Sequence, residues 1–139
     1  MDLQSQLVRE EDVILHAYED SKKFLTIGCG RLIDVRKGGG ISYEEAMYLL
    51  SNDMKKHTKA VLDRLEWASM IGPVRLGSLV NMHFQMGDSL FAFHKTLAFM
   101  RNNRWDEAAV EMLNSDWARE DSPARAIRVS EQIRTNKWV

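Results

Sequence analysis

The middle of this chain has the sequence pattern of one long amphipathic helix. Ser42 and Glu45 have the spacing of a capping box, in which each side chain hydrogen-bonds the backbone of the other residue and closes the first helical turn. Behind this box, apolar residues recur at helical spacing as far as Leu65. The pattern predicts a helix of about 20 residues, roughly 30 Å long. The other elements must then be arranged at the two ends of this helix.

The segment before the long helix has a different pattern. Residues 3–11 carry apolar side chains at helical spacing and predict a short helix. Within residues 18–34, the β-favouring run 24–27 lies between turn sequences, which predicts two or three short antiparallel strands. So few strands cannot stand alone, and we expect them to lean on helices.

The segment after the long helix predicts helices only. We expect them over 74–86, 90–101, 105–113 and 123–134, with Pro73 at a helix start and Ser122 as the N-cap before Pro123. The predicted fold class is therefore α+β, mainly α-helical and two-lobed, in a single domain over residues 1–139. We expect a small β lobe at about 12–41, a linking helix at about 42–65, and a helical lobe formed by about 73–139 together with 1–11. Small-molecule sites are often found in a cleft between two such lobes.

Charge and cysteine content argue against several classes of protein. The formal net charge is −1, so nothing broad attracts the chain to nucleic acid, and a nucleic-acid binder that uses the C-terminal arginines is a weak alternative. No run of about 18 apolar residues is present, so we expect neither a membrane span nor stable membrane binding. The N-terminus lacks the regions of a signal peptide, so we expect no export signal. The single Cys29 cannot form an internal disulfide, and we expect a buried thiol.

Two carboxylates around the predicted sheet have the residue types that glycosidic cleavage requires. That reaction needs a protonated acid on the leaving oxygen and an ionised carboxylate on the opposite face of the sugar. Glu11, at a helix end and flanked by Leu7, Leu15 and Tyr18, could be held neutral by apolar surroundings. Asp20, in a polar turn, would stay ionised, and the hydroxyl of Thr26 could hold a water against it. The spacing alone leaves a plainer alternative open, in which Glu11 caps or pairs with an arginine and Asp20 is only a turn residue.

Other chemistries find less support in the sequence. The run "GCGRLI" lacks the third glycine of a dinucleotide fingerprint, and "KGGG" lacks the lysine and hydroxyl residue that end a phosphate loop. The four histidines are scattered without metal-ligand spacing. We therefore expect no cofactor and no metal.

Several blocks of sequence, spread over almost the whole chain, occur in the same order in one known family. The run "EDVILHAYEDSKKFLTIGCGRL" carries a glutamate, then Tyr-x-Asp, then Thr-Ile-Gly-x-Gly. The blocks "NMHFQMG" at 81–87, "RWDEAAVEML" at 104–113, and "ARAIRV" and "IRTNKW" near the end follow in order. Together they resemble phage lysozymes, family 24 of the glycoside hydrolases, and in particular its T-even type.

The resemblance implies a role for each matching residue. It makes Glu11 the general acid, Asp20 the carboxylate that activates water, and Thr26 the residue that helps to hold that water. It also implies substrate-binding residues Leu32, Phe84, Thr96 and Glu111, and supporting residues Tyr18, Gly30, Gln85 and Arg125. Arg125 is expected near Glu11 as a possible ion-pair partner.

The same resemblance implies an activity and a setting. Family members cut the β-1,4 bond between N-acetylmuramic acid and N-acetylglucosamine of bacterial peptidoglycan, without cofactor and with inversion. It implies a monomeric phage endolysin, made in the host cytoplasm and released to the cell wall by a separate holin-type pore protein. The alternative from another class is a lysozyme-like scaffold domain that binds glycan or a partner with little hydrolysis.

The chain departs from the family pattern at several positions. Arg31 stands where T-even members have a histidine, so an ion pair of that imidazole is lost or changed. Glu111 stands where they have a neutral amide in a sugar subsite. The segment 34–41 is a short glycine turn in place of a longer insertion, which predicts a minimal small lobe. The chain also stops earlier at its C-terminus, and its net charge of −1 predicts weaker attraction to an anionic wall.

Overall fold

The computed structural model describes residues 2–139, which form two compact units, one ending at Leu49 and the other spanning Leu50–Val139. The first unit contains helix α1 (Leu3–Glu11), strands β1 (Ile14–Glu19), β2 (Leu25–Gly28) and β3 (Arg31–Leu32), a 3-10 turn (Val35–Lys37), and the start of helix α2 (Tyr43–Arg64). The strands form one antiparallel sheet in the order β1-β2-β3. The predicted short helix and small antiparallel sheet are confirmed.

Helix α1 begins and ends on aspartates. The Asp2 carboxylate accepts a hydrogen bond of 2.8 Å from the Ser5 N–H, which satisfies one of the free donors of the first turn. Asp12 has φ 59°, outside the helical region, although its N–H still donates to the Val8 carbonyl at 3.0 Å. Glu11 is therefore the last helical residue.

Helix α2 begins with the predicted capping box. The Glu45 N–H donates to the Ser42 hydroxyl at 3.1 Å, and the Ser42 N–H donates to the Glu45 carboxylate at 2.9 Å. The helix then runs for 22 residues, so the predicted long helix is confirmed.

The short glycine turn after β3 is organised by Asp34. Its buried carboxylate accepts hydrogen bonds from the Leu25 N–H at 3.0 Å and from the Arg36 guanidinium at 2.6 Å. The Arg36 side chain and then these backbone donors lower the pKa of Asp34 well below its usual range. At Gly39, a Cβ would lie 2.7 Å from the Leu32 carbonyl oxygen, so only glycine allows this tight return of the chain.

The second unit contains the remainder of α2 and four further α-helices: α3 (Pro73–Met86), α4 (His94–Arg101), α5 (Trp105–Leu113) and α6 (Pro123–Thr135). Short 3-10 segments cover Glu66–Met70 and Gly87–Ala92, and a π-helical turn covers Trp117–Asp121. A core of buried side chains joins these helices, and the largest fully buried ones are Leu79, Met82, Leu90, Met100, Met112 and Ile133. The predicted mainly α-helical fold class is confirmed.

Two details of the helical prediction are wrong. The helix expected from residue 90 begins only at His94, because Gly87 with φ 61° ends α3 and a 3-10 segment follows. Ser122 stands at the N-cap position of α6, yet its side chain makes no capping bond. Its hydroxyl instead accepts a hydrogen bond from the Gln85 side chain.

Candidate active site

Three of the predicted site residues form one row across the sheet of the first unit. Thr26, on the central strand, lies opposite Tyr18 of β1 and opposite Leu32 of β3. Residues directly opposite each other on antiparallel strands share a face of the sheet. The row therefore places a buried hydroxyl between an aromatic and an aliphatic side chain.

The backbone of Phe24 brings Asp20 and Thr26 together. Its carbonyl oxygen accepts the Asp20 N–H at 2.9 Å and the Thr26 hydroxyl at 3.1 Å. Because the hydroxyl hydrogen is used in this bond, the Thr26 oxygen is left as an acceptor. A water donating one hydrogen to Thr26 and the other to Asp20 would keep its lone pairs for attack on a sugar carbon.

The Asp20 carboxylate is fixed by one oxygen. Oδ1 accepts the N–H groups of Lys22 and Phe24, each at 2.9 Å, a turn arrangement typical of aspartate. Within residues 2–139, Oδ2 has no hydrogen-bond partner. Asp20 is thus a turn residue, as the plainer alternative held, and it also presents an oriented oxygen that can act as a base.

The Glu11 carboxylate lies against the backbone of Gly30. A Cβ at Gly30 would be 2.7 Å from Glu11 Oε2 and 2.9 Å from Glu11 Cδ, and Gly30 has φ 71°. A side chain at position 30 would therefore both strain the backbone and displace the carboxylate. This contact gives a physical reason for the second glycine of Thr-Ile-Gly-x-Gly.

Two expectations about the surroundings of Glu11 are wrong. Leu15, expected to flank it, is 86% exposed, and Glu11 is exposed as well. The β-bulge of β1 between Ile14 and Tyr18 changes the alternation of side chains on which the expectation depended.

The prediction that the Cys29 thiol is buried is also wrong. Cys29 is exposed, because it lies in the turn between β2 and β3, where its thiol donates to the Leu7 carbonyl at 3.6 Å.

Arg31 pairs with the first turn of α2. Its guanidinium lies 2.8 Å from the Glu45 carboxylate and 3.4 Å from the Gly40 carbonyl oxygen. The Arg31 hydrogen bond, with further donors from Ser42, lowers the pKa of Glu45 to about 2. The arginine thus ties β3, the glycine turn and the capping box together.

In the second unit, Thr96 and Glu111 line the same cavity of about 400 Å³, and their contact with the glycan stays a prediction. Thr96 is buried, and Glu111 forms no ion pair with another described residue. The cavity therefore contains a carboxylate, and Lys95 is also among its lining residues.

Phe84 and Arg125 line a second, mostly apolar cavity of about 560 Å³ in this unit. The Arg125 guanidinium donates to the Asn81 side chain at 2.7 Å and to the Asn81 carbonyl at 3.2 Å. Its pairing with Glu11 stays a prediction. Gln85 accepts the indole N–H of Trp117 at 2.9 Å and donates to Ser122, and so links the end of α3 to the segment before α6.

Sequence comparisons identify the family. The family model described as "Phage lysozyme" matches residues 8–128. Among curated proteins, the chain is similar to "Probable T4-type lysozyme 1" of Dictyostelium discoideum, at 26% identity over 96% of this chain and 94% of the relative. It is also similar to "Probable T4-type lysozyme 2" of the same organism, at 27% identity over 91% and 90%. The chain belongs to the phage lysozyme family and is a lysozyme-type muramidase, a glycosidase.

Residues 2–139 contain neither a membrane-spanning helix nor a metal-binding cluster. None of their helices is long and apolar enough to cross a membrane. No group of three or more histidine, cysteine, aspartate and glutamate side chains among them could hold a metal ion.

Two residues that position the candidate site through backbone hydrogen bonds were not identified from the sequence. Phe24 acts through its backbone, and Asp34 through a bond to the Leu25 N–H, nine residues away. A signal for Asp34 existed, since an aspartate two residues before an arginine in a turn often accepts local N–H groups. Nothing in the sequence distinguishes the carbonyl of Phe24.

Proposed function

We propose that this chain hydrolyses the β-1,4 bond between N-acetylmuramic acid and N-acetylglucosamine of bacterial peptidoglycan, with inversion at the anomeric carbon. Glu11 protonates the leaving oxygen. Asp20 removes a proton from a water, and Thr26 orients that water. Inversion requires room for a water between the base and the sugar, and a base that is a short carboxylate in a turn is consistent with this.

The state of the Asp20 carboxylate carries the proposal. One oxygen is held by two backbone N–H groups, and the other has no partner in the described part of the chain. The Asp20 N–H and the Thr26 hydroxyl both donate to the Phe24 carbonyl oxygen, which leaves the Thr26 oxygen as an acceptor near Asp20. An aspartate with only a structural role in the turn does not need such an acceptor beside it. A general base needs an orientation and a place to hold a water, and these contacts offer an oriented carboxylate and a hydroxyl acceptor.

The residues proposed to contact the glycan lie in the two cavities of the second unit and in the row of residues across the sheet. Leu32 and Tyr18 offer apolar surface beside Thr26, and Thr96 with Glu111 offers hydrogen-bonding groups in the second unit. Phe84 lines the apolar cavity that also contains Arg125. We assign these residues to the glycan on the strength of the family pattern.

Release of reducing ends from purified peptidoglycan tests the activity. Wild type should release them, and Glu11→Gln should release about 100 to 10,000-fold fewer, the usual range for a general acid. Glu10→Gln, the adjacent exposed glutamate, is the matched control and should keep wild-type activity. NMR of the first product anomer tests inversion. Wall binding by the wild type without release of reducing ends would support the scaffold alternative.

The biological setting that we propose is host lysis by a phage endolysin. The protein would accumulate in the host cytoplasm and reach the wall through a separate holin-type pore protein, as a monomer. The description of the matching family supports this role. Expression in bacteria with and without a separately encoded pore protein tests it: lysis only with the pore supports the role, and equal lysis without it contradicts the role.

A further inference from the structure

Two histidines that the sequence leaves 26 residues apart meet in the second unit. Nδ1 of His57, on α2, lies 2.7 Å from Nδ1 of His83, on α3, and the ring centroids are 5.0 Å apart. The other ring nitrogen of His83, Nε2, lies 3.0 Å from Asp88 Oδ1. His83 is only 6% exposed. None of these residues belongs to the proposed glycosidase site.

The geometry defines where the hydrogens lie. A carboxylate only accepts, so Nε2 of His83 carries a hydrogen and donates it to Asp88. Nδ1 of a neutral His83 is then an acceptor, and Nδ1–H of His57 donates to it. A nitrogen–nitrogen distance of 2.7 Å has room for one hydrogen between the rings and not for two.

Counting protons shows how this arrangement responds to acid. One added proton makes either ring a cation, and an N–H···N bond still joins the two Nδ1 atoms. A second added proton places a hydrogen on both Nδ1 atoms, so the bond is lost and two cations face each other. We propose that His57, His83 and Asp88 form a proton-controlled latch between α2 and α3, closed with at most one added proton and open with two.

Charged groups of both signs lie near the histidine pair. Asp88 accepts from His83, and Asp53 lies one helical turn before His57. On the opposite side, the Arg64 guanidinium stacks 4.4 Å from the centroid of Phe91, a ring that contacts His83. The cavity of about 350 Å³ beside Phe91 is lined by further basic residues, His94 and Arg101.

Some of the other charged groups on these elements have partners of their own. Lys59 pairs with Asp63 at 2.5 Å on α2, and Arg75 on α3 donates to the Ile133 carbonyl at 2.8 Å. Lys55 and Lys56 adjoin His57 on α2 and add positive charge.

The latch predicts a pH dependence of folding with a definite sign. Free imidazoles in an unfolded chain take up protons below about pH 6.5. The unfolded chain then binds two protons at these residues, whereas the closed latch binds at most one. Because the unfolded state binds more protons, stability falls as the pH falls, by about tenfold in the folding equilibrium constant per pH unit.

Nuclear magnetic resonance on the wild-type protein is the first test. With ¹⁵N-labelled histidine, a scalar coupling across the N–H···N bond should connect the two Nδ1 atoms near pH 7.5. The coupling should survive the first protonation step and disappear in the second. Absence of any coupling near neutral pH would overturn the proposal, and so would its persistence with both rings protonated.

Chemical denaturation between pH 7.5 and 5 is the second test. Wild type should show the tenfold loss per pH unit below about pH 6.5. His57→Phe keeps a ring against Phe84, which lies 4.9 Å away. It leaves His83 free to bind one proton beside Asp88 in the folded chain, as in the unfolded one, so this loss should vanish. His16→Gln, at an exposed histidine of β1, is the matched control and should retain it. Equal pH dependence in wild type and His57→Phe would contradict the latch; if His57→Phe does not fold, the wild-type coupling decides.

Discussion

The two units of this protein differ in what holds them together. In residues 2–49, the only buried side chains are the polar Thr26 and Asp34, and Leu15 and Val35 are more than four-fifths exposed. Leu50–Val139 instead contains a cluster of buried apolar side chains from α2 through α6. The proposed acid and base both lie in the unit without an apolar core.

In the first unit, polar contacts position the residues of the candidate site. Hydrogen bonds to turn backbone position Asp20 and Thr26, and the close approach of a glycine positions Glu11. Such contacts orient polar groups well but contribute only about 0.5–1.5 kcal/mol each to stability. Burial of apolar side chains supplies far more, about 1.5–3 kcal/mol for each large one. We therefore infer that chemistry depends mainly on the first unit and stability mainly on the second.

The largest effect expected is at Asp20. Asp20→Asn keeps an oxygen for the Lys22 and Phe24 N–H groups and removes the base, so lysis should fall about 100 to 10,000-fold with little change in unfolding. Asp20→Ala removes the base and both turn bonds and should also loosen the hairpin. Cell-wall turbidity loss and the urea midpoint measure the two effects. Near-normal lysis by Asp20→Asn would remove the residue from the mechanism.

Paired leucine truncations test the division of stability directly. Leu79 is fully buried in the second unit, and Leu79→Ala should cost about 2–5 kcal/mol in the free energy of unfolding. Leu15→Ala, at a leucine 86% exposed in the first unit, should stay within about 0.5 kcal/mol. Urea unfolding followed by tryptophan fluorescence and circular dichroism compares them. Similar costs for both would show that the first unit has an apolar core after all.

Alanine variants of two glycines with the same backbone conformation can distinguish the effect of backbone strain from the effect of contact with Glu11. Gly28 and Gly30 have φ 70° and 71°, but only a Cβ at Gly30 would collide with the Glu11 carboxylate. Both alanine variants should pay about 1–2 kcal/mol of backbone strain. Gly30→Ala should in addition lose about 10 to 100-fold in lysis, because misplacement of a reacting group by about 1 Å has that effect. Equal activities, measured at a temperature where both are folded, would show that the contact does not matter for catalysis.

The Arg31–Glu45 pair gives a smaller effect that depends on pH. Because Arg31 lowers the pKa of Glu45 to about 2, the pair stabilises the first unit above the unfolded value of about 4.5. That contribution should be lost as the pH falls from about 4.5 towards 2. The protection factors of the backbone amides of 39–45 against hydrogen exchange, which are corrected for the intrinsic rate at each pH, should therefore fall in wild type over this range and change less in Glu45→Gln. Glu44→Gln is the control, and a wild-type response in Glu45→Gln would contradict the assignment.

The smallest effect concerns Glu111. A second negative charge near an anionic glycan repels it by on the order of 1 kcal/mol or less at about 4 Å in water, and salt screens this over about 8 Å. Glu111→Asn should therefore raise lysis of permeabilised cells at about 10 mM salt and change little at about 300 mM. A gain at every salt concentration would indicate shape or hydrogen bonding at the cavity instead. No gain at any would remove Glu111 from the glycan subsite.

Elements defined by neighbouring residues could be predicted from the sequence. The capping box of α2, the span of α1 and the bounds of α5 depend on contacts within a few positions, and the structure confirms them. The prediction of a helix from residue 90 was wrong because local spacing did not decide the structure there. Its apolar spacing suits a 3-10 segment packed on α3 as well as it suits an α-helix, and packing decides between them.

Local sequence patterns predict the order of elements, the helical second unit and the polar turn at Asp20, and the family pattern predicts the candidate site residues. The three-dimensional fold is needed to see that Gly30 touches Glu11, that Phe24 joins Asp20 to Thr26, and that His57 meets His83. The physical reason is the range of the interactions. Helix periodicity and turn bonds arise from residues close in the chain. Contacts across strands and between helices depend on the path of the whole backbone, which no local pattern specifies.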